Sequence, residues 1–176
     1  MIIPDIKIKK ILYATDLSEN ARYAFAYAVS LADRYEAQIA ILHVLTEIPN
    51  LEHRIAGHIG AEAWESIKAQ HVDEAREILI GKKRDNVPIR EVLDRFRKTL
   101  RPDAPSGPLP ADEIIIEIGN PADKIIGQSI ERDCDIIVMG SRGHSGLKDT
   151  IMGGTTTRVL RHSQKPVLVV RLPEDG

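Results

Sequence analysis

A chain of 176 residues is long enough for one domain with a sizeable core and short for two. Its 24 basic and 26 acidic side chains nearly cancel, which excludes a general electrostatic pull toward nucleic acid or an anionic membrane. A single cysteine, Cys134, excludes an intrachain disulfide, and no run nears the roughly 20 apolar residues of a membrane helix. The opening MIIPDIKIKK carries no apolar stretch before a small-residue cleavage site, so the expected placement is cytoplasmic.

Strand and helix patterns alternate along the chain. Residues 10–14 form a short apolar run that ends at Thr15 and Asp16, the mark of a buried strand. Ser18 then offers an N-cap, and Ala21, Ala24, Phe25, Ala28, Leu31 and Ala32 recur at helical spacing. Residues 38–44 give a second strand, completing a βαβ unit whose crossover is right-handed. Residues 61–80 read as a helix, with Trp64, Ile67, Ala75, Ile78 and Leu79 on roughly one side, and Ile89, Val92, Leu93, Phe96 and Leu100 suggest another. Four prolines and a glycine between 101 and 111 predict an extended connection, a place for disorder or a lid. The stretch from about 50 to 111 is therefore a long helical and proline-rich crossover within one domain.

The second half follows the same alternation. Residues 113–118 predict a third strand, rich in β-branched side chains. Asn120 can cap the next helix, Pro121 suits its first position and Asp123 its positive end, while Ile125, Ile126 and Ile130 supply its apolar face. Residues 135–139 predict a fourth strand, 155–162 a helix and 166–170 a fifth strand. The expected fold is α/β: one doubly wound, Rossmann-like parallel sheet of order 3-2-1-4-5 with helices on both faces. Such sheets bind ligands beyond the strands' carboxyl ends, where the winding reverses. Here that crevice falls between strands 1 and 4, lined by Ala14, Thr15 and Asp16 on one side and by Met139 and Gly140 onward on the other.

The segment from Gly140 to Gly154 carries the chemistry. Glycines after a buried strand allow positive φ and close approach of the backbone to a ligand. A second pair, Gly153 and Gly154, leads into a helix whose first N–H groups and dipole favour a phosphate. The alternative for these glycines is tight packing alone. No G-x4-G-K-[S/T] or G-x-S-x-G sequence and no acid–base pair is present, so binding rather than catalysis is expected, with turnover slow at most. His53 and His58 lack partners for a metal set, and no metal site is expected. His58-Ile59-Gly60-Ala61 resembles the HIGH signature of nucleotide-handling synthetases, but it follows the second strand rather than the first. His43 reads as a packed strand residue and Cys134 as an inert thiol.

Gly140, Gly143 and Gly153 reproduce the G-x2-G-x9-G spacing of the ATP-binding universal stress proteins. Residues 11–21, 119–126, 135–143 and 165–170 also resemble that family, so the likeness covers nearly the whole chain outside 50–111. It implies a stress-response regulator that binds ATP or AMP, with or without Mg2+. It also implies that Asp16 accepts hydrogen bonds from ribose hydroxyls, where the residues alone allow a turn carboxylate near Ser18. Ala14 and Val44 would meet adenine, and Arg142, His144 and Ser145 would reach phosphates; for Arg142 a solvated surface charge remains the alternative. The resemblance further implies a homodimer through Val167, Leu168, Val169 and Val170, since an open apolar edge needs covering. One departure stands out: the family's Ser or Thr after the third glycine is Gly154 here, and Thr155 and Thr156 are the nearest replacements. That departure keeps open a second reading, a stress-associated interaction protein of the same fold with a degenerate site.

Overall fold

Apolar runs become strands where both faces can be covered, and five such runs pair in this chain. They are seen in a computed structural model that describes residues 5–46, 61–79, 111–143 and 152–173. The strands are β1 (Lys10–Thr15), β2 (Gln38–Thr46), β3 (Ala111–Gly119), β4 (Ile136–Gly140) and β5 (Val167–Val170). Every pairing is parallel and the order is β3-β2-β1-β4-β5, as the alternation of elements predicts. The register sets Ala14 between Leu42 and Met139, and Gly140 beside Val170. The strands' carboxyl ends are thereby gathered at one end of the sheet.

Alternation along the strands divides the core in two. Ile11, Tyr13, Ile39, Ile41 and Val138 pack with Ala24, Phe25 and Ala28 of α1 (Glu19–Tyr35). Leu12, Ala40, Leu42, Ile137 and Met139 pack with Ile125 of α3 (Pro121–Glu131) and Val159 of α4 (Gly154–His162). Each fully buried aliphatic side chain contributes about 1.5–3 kcal/mol of transfer free energy, so both faces are needed to hold the sheet. The remaining helix among the described residues, α2 (Ala61–Leu79), contacts β3.

The helix starts have the chemistry expected of them. Ser18 accepts from the Ala21 amide at 3.2 Å, and Asn120 accepts from Ala122 and Asp123 at 3.0 and 3.2 Å with Pro121 behind it. Glu36 closes α1 in the left-handed region, φ 54°, with its amide returning to Ala32. Tyr13 is the unusual core member. Its hydroxyl donates to the Ala21 carbonyl at 2.7 Å beneath the start of α1, and burial pushes its phenol well above the usual tyrosine range.

Several expectations need correcting. Ile130 is 47% exposed, so it does not belong to the apolar face of α3, which Ala122 and Ile125 provide. Ile67 is likewise exposed, while Trp64 is half-buried and Ala75 buried. β3 begins at Ala111, two residues early, and α4 begins at Gly154 rather than Thr155. The expected helix over 89–100 and the proline-rich residues 101–110 lie outside the described residues. Cys134 is buried, and that burial raises its thiol pKa, which agrees with an inert role.

Candidate functional site

β1 ends where the chain must turn sharply into α1. Thr15 Oγ1 accepts from the Leu17 amide and Asp16 Oδ1 from the Ser18 amide, both at 3.0 Å. These two side-chain turns hold Leu17 at φ 66°, a left-handed conformation costly for a branched side chain. The turn thus fixes the Asp16 carboxylate at the end of the central strand. His43, the register neighbour of Thr15, is buried and bonds the Thr15 carbonyl through Nδ1 at 2.8 Å, as a packed strand histidine should.

Across the switch point, the chain leaving β4 is tied down at several points. The Ser141 amide donates to Val170 O and the Gly153 amide to Ser141 O, each at 2.8 Å. Thr156 donates its hydroxyl to Gly140 O at 3.1 Å and is buried. The two ends of the glycine loop, 140–143 and 152–154, are therefore stapled together beside Asp16. No side chain caps α4, because its N-cap is Gly153. The first amides of a helix have no intrahelical acceptor, so this end favours an anion.

The glycines divide into two kinds. None of Gly140, Gly143, Gly153 and Gly154 has positive φ, against the expectation drawn from the sequence. A Cβ on Gly143 would stand 2.3 Å from Asp16 Oδ2, and one on Gly140 would meet the Asn20 amide at 2.9 Å. These two glycines are required by close approach of the protein to itself. At Gly154 an added Cβ meets nothing within 4 Å, so protein packing does not explain that glycine.

Both walls open onto one crevice of about 540 Å³. Ala14, Thr15, Asp16, Val44, Met139, Gly140, Arg142, Gly143, Gly153, Gly154, Thr155 and Thr156, all singled out in the sequence, line it together. His144 and Ser145 lie outside the described residues. The sequence did not point to Ala21, Leu42, His43, Leu45, Thr46, Pro121 and Ile125 as site residues, and these also line the crevice. A signal was available: β2 neighbours β1, so its end must border the same crevice. Among the described residues no cluster of His, Cys, Asp and Glu could hold a metal, and no helix is long and apolar enough to cross a membrane.

Residues 7–171 match the family described as the universal stress protein family. The chain belongs to that family. A universal stress protein of Methanocaldococcus jannaschii, MJ0577, is 30% identical over 94% of this chain and 96% of its own length. Its solved structure overlays with a TM-score of 0.67 at 27% identity, covering 97% of this chain and all of that one. Universal stress protein YxiE of Bacillus subtilis is 31% identical over 92% of this chain and 98% of its own. A universal stress protein solved in complex with cAMP shares the fold at TM-score 0.54 and 20% identity, covering 93% of this chain and 97% of that one. As a universal stress protein, the chain has Gly140, Gly143 and Gly153 lining the crevice at the switch point of its sheet.

Proposed function

We propose that this universal stress protein is a cytoplasmic regulator of the stress response that binds an adenine nucleotide, ATP or AMP, between β1 and β4. One observation carries the reading: a fixed carboxylate, Asp16, and an uncapped helix start, Gly153 to Thr156, converge on a single crevice. About 540 Å³ lies within the usual 300–1,000 Å³ range of small-molecule sites. The residues fit the ligand's parts. Asp16 suits the ribose hydroxyls, the apolar ends of β1 and β2 suit a flat base, and the α4 amides suit phosphate. Mg2+ would arrive with the polyphosphate rather than on a protein cluster. The sequence announces no acid–base pair, so hydrolysis is proposed to be slow at most. The edge strand β5 is proposed to pair with a second copy through Val167 to Val170.

A second reading has its own support. Gly154 lacks the family hydroxyl, Thr156 gives its hydroxyl proton to Gly140 O, and Asp16 Oδ1 is held by the Ser18 amide. These features suit an interaction protein with a degenerate site. Mass spectrometry of small molecules released from the purified protein separates the two. ATP or AMP at near one per chain supports nucleotide binding. No released nucleotide, with no thermal shift at millimolar ATP, supports the degenerate site.

A further inference from the structure

Asn20, in the first turn of α1, is 7% exposed and caps nothing; Ser18 performs that task. A buried primary amide must satisfy both its donor and its acceptor side, or it costs the fold several kcal/mol. With its nitrogen toward Val170 O at 3.1 Å, its oxygen accepts from the Arg142 amide at 3.3 Å and the Ser141 hydroxyl at 3.2 Å. Turned the other way, its nitrogen would keep one bond, to the Ser141 hydroxyl at 3.2 Å, while its oxygen would face the Val170 carbonyl and lose the Arg142 amide. The same Val170 carbonyl also accepts from the Ser141 amide at 2.8 Å. One side chain therefore joins the start of α1, the loop leaving β4 and the end of β5. Gly140 is glycine because this amide lies against it, 2.9 Å from where a Cβ would stand.

We infer that Asn20 is a positioning residue for the anion-binding part of the crevice. It does not touch the crevice, whose nearer wall from α1 is Ala21. It acts through Ser141 and Arg142, holding the chain so that Gly143 meets Asp16 on one side and Ser141 O receives the Gly153 amide on the other. Because Ser141 O anchors the N-cap of α4, a loop that drifts carries the phosphate-facing amides with it. The base wall comes from the ends of β1 and β2, and Asp16 is held by its own turn through the Ser18 amide, neither of which Asn20 bonds. Its effect is therefore confined to phosphate. The inference rests on the nucleotide reading, deepening it by separating the phosphate contribution from the nucleoside contribution.

The test compares ATP with adenosine by calorimetry for the native chain and Asn20→Ala, with amide hydrogen exchange at Arg142 as an independent readout. Asn20→Ala is expected to weaken ATP roughly tenfold, to leave adenosine within twofold, and to speed exchange of the Arg142 amide. A residue that merely supported the fold would weaken both ligands alike. Equal loss of both ligands, unchanged ATP affinity, or unchanged Arg142 exchange each overturns the inference. Asn20→Ser makes the same comparison if the alanine variant fails to fold. If the native chain binds neither ligand, the nucleotide reading falls, and Arg142 exchange alone still decides whether Asn20 holds the loop.

Discussion

Adding one methyl group at Gly143 tests whether Asp16 and the glycine loop form one device. The new Cβ of Gly143→Ala would lie 2.3 Å from Asp16 Oδ2 and 3.3 Å from its Cγ. A relaxed carbon–oxygen contact is about 3.3 Å or longer, so one partner must retreat by about 1 Å. Asp16 cannot retreat freely, because Oδ1 accepts from the Ser18 amide at 3.0 Å within a turn that also fixes Leu17. Swinging the carboxylate away sacrifices a charge-assisted bond of about 1.5–3 kcal/mol. Lifting the loop instead takes the Gly143 backbone out of the crevice. Either response removes about 1.5–3 kcal/mol from nucleotide binding, raising the ATP dissociation constant roughly 10- to 150-fold. Isothermal titration of ATP into the native chain, Gly143→Ala, Asp16→Ala and the double variant measures this directly. If the methyl acts through Asp16, the double variant binds no worse than Asp16→Ala alone. Gly143→Ala with ATP affinity within twofold of native, in a chain that binds ATP, would refute the reasoning.

Gly154→Ser should be tolerated, since its Cβ meets nothing, and should restore a hydroxyl beside the phosphate. Titration is expected to show ATP bound roughly two- to tenfold tighter, and weaker binding would place the phosphate elsewhere. Thr156→Val keeps the shape but removes the donor to Gly140 O, lowering stability by about 1 kcal/mol. The melting temperature should then fall by about 2–4 °C, and no change would mean the tether is idle. Tyr13 makes stability depend on alkaline pH. Its folded pKa is raised by burial, so its contribution is complete below the unfolded value of about 10 and declines as pH rises above it. Urea unfolding from pH 8 to 11 should show a steeper loss for the native chain than for Tyr13→Phe; parallel slopes would argue against a buried phenol.

The sheet was legible because its inner strands are buried on both faces and read as apolar runs, such as residues 39–42 and 136–139. Ser18 and Asn120 announced their helices because capping is local chemistry, complete within three residues. The helix faces were less readable where one side chain could turn either way. Ile130 follows Ile126 at helical spacing, yet it lies round the helix from the buried stripe of Ala122, Ile125 and Ser129 and so faces outward. The crevice was readable from strand order alone, which explains why Asp16 and the loop from Gly140 onward could be set on facing walls before any distance was known. What local pattern does not disclose is the reason for each glycine. Gly140 answers to Asn20, 120 residues earlier in the chain, and Gly143 to Asp16, so a reading of positive φ attached the wrong cause to the right residues. Pro121 and Ile125 reach the crevice because α3 packs beneath the ends of β1 and β2, a tertiary fact.

An amide chemical-shift map of the isotopically labelled chain during ATP titration addresses the site itself. Saturable shifts concentrated at Asp16, Gly143, Gly154, Thr155 and Thr156, with the outer turns of α2 unchanged, are the predicted result. Saturable shifts that bypass Gly153 to Thr156, or a spectrum unmoved by millimolar ATP, would contradict the assignment of this helix start as the phosphate site.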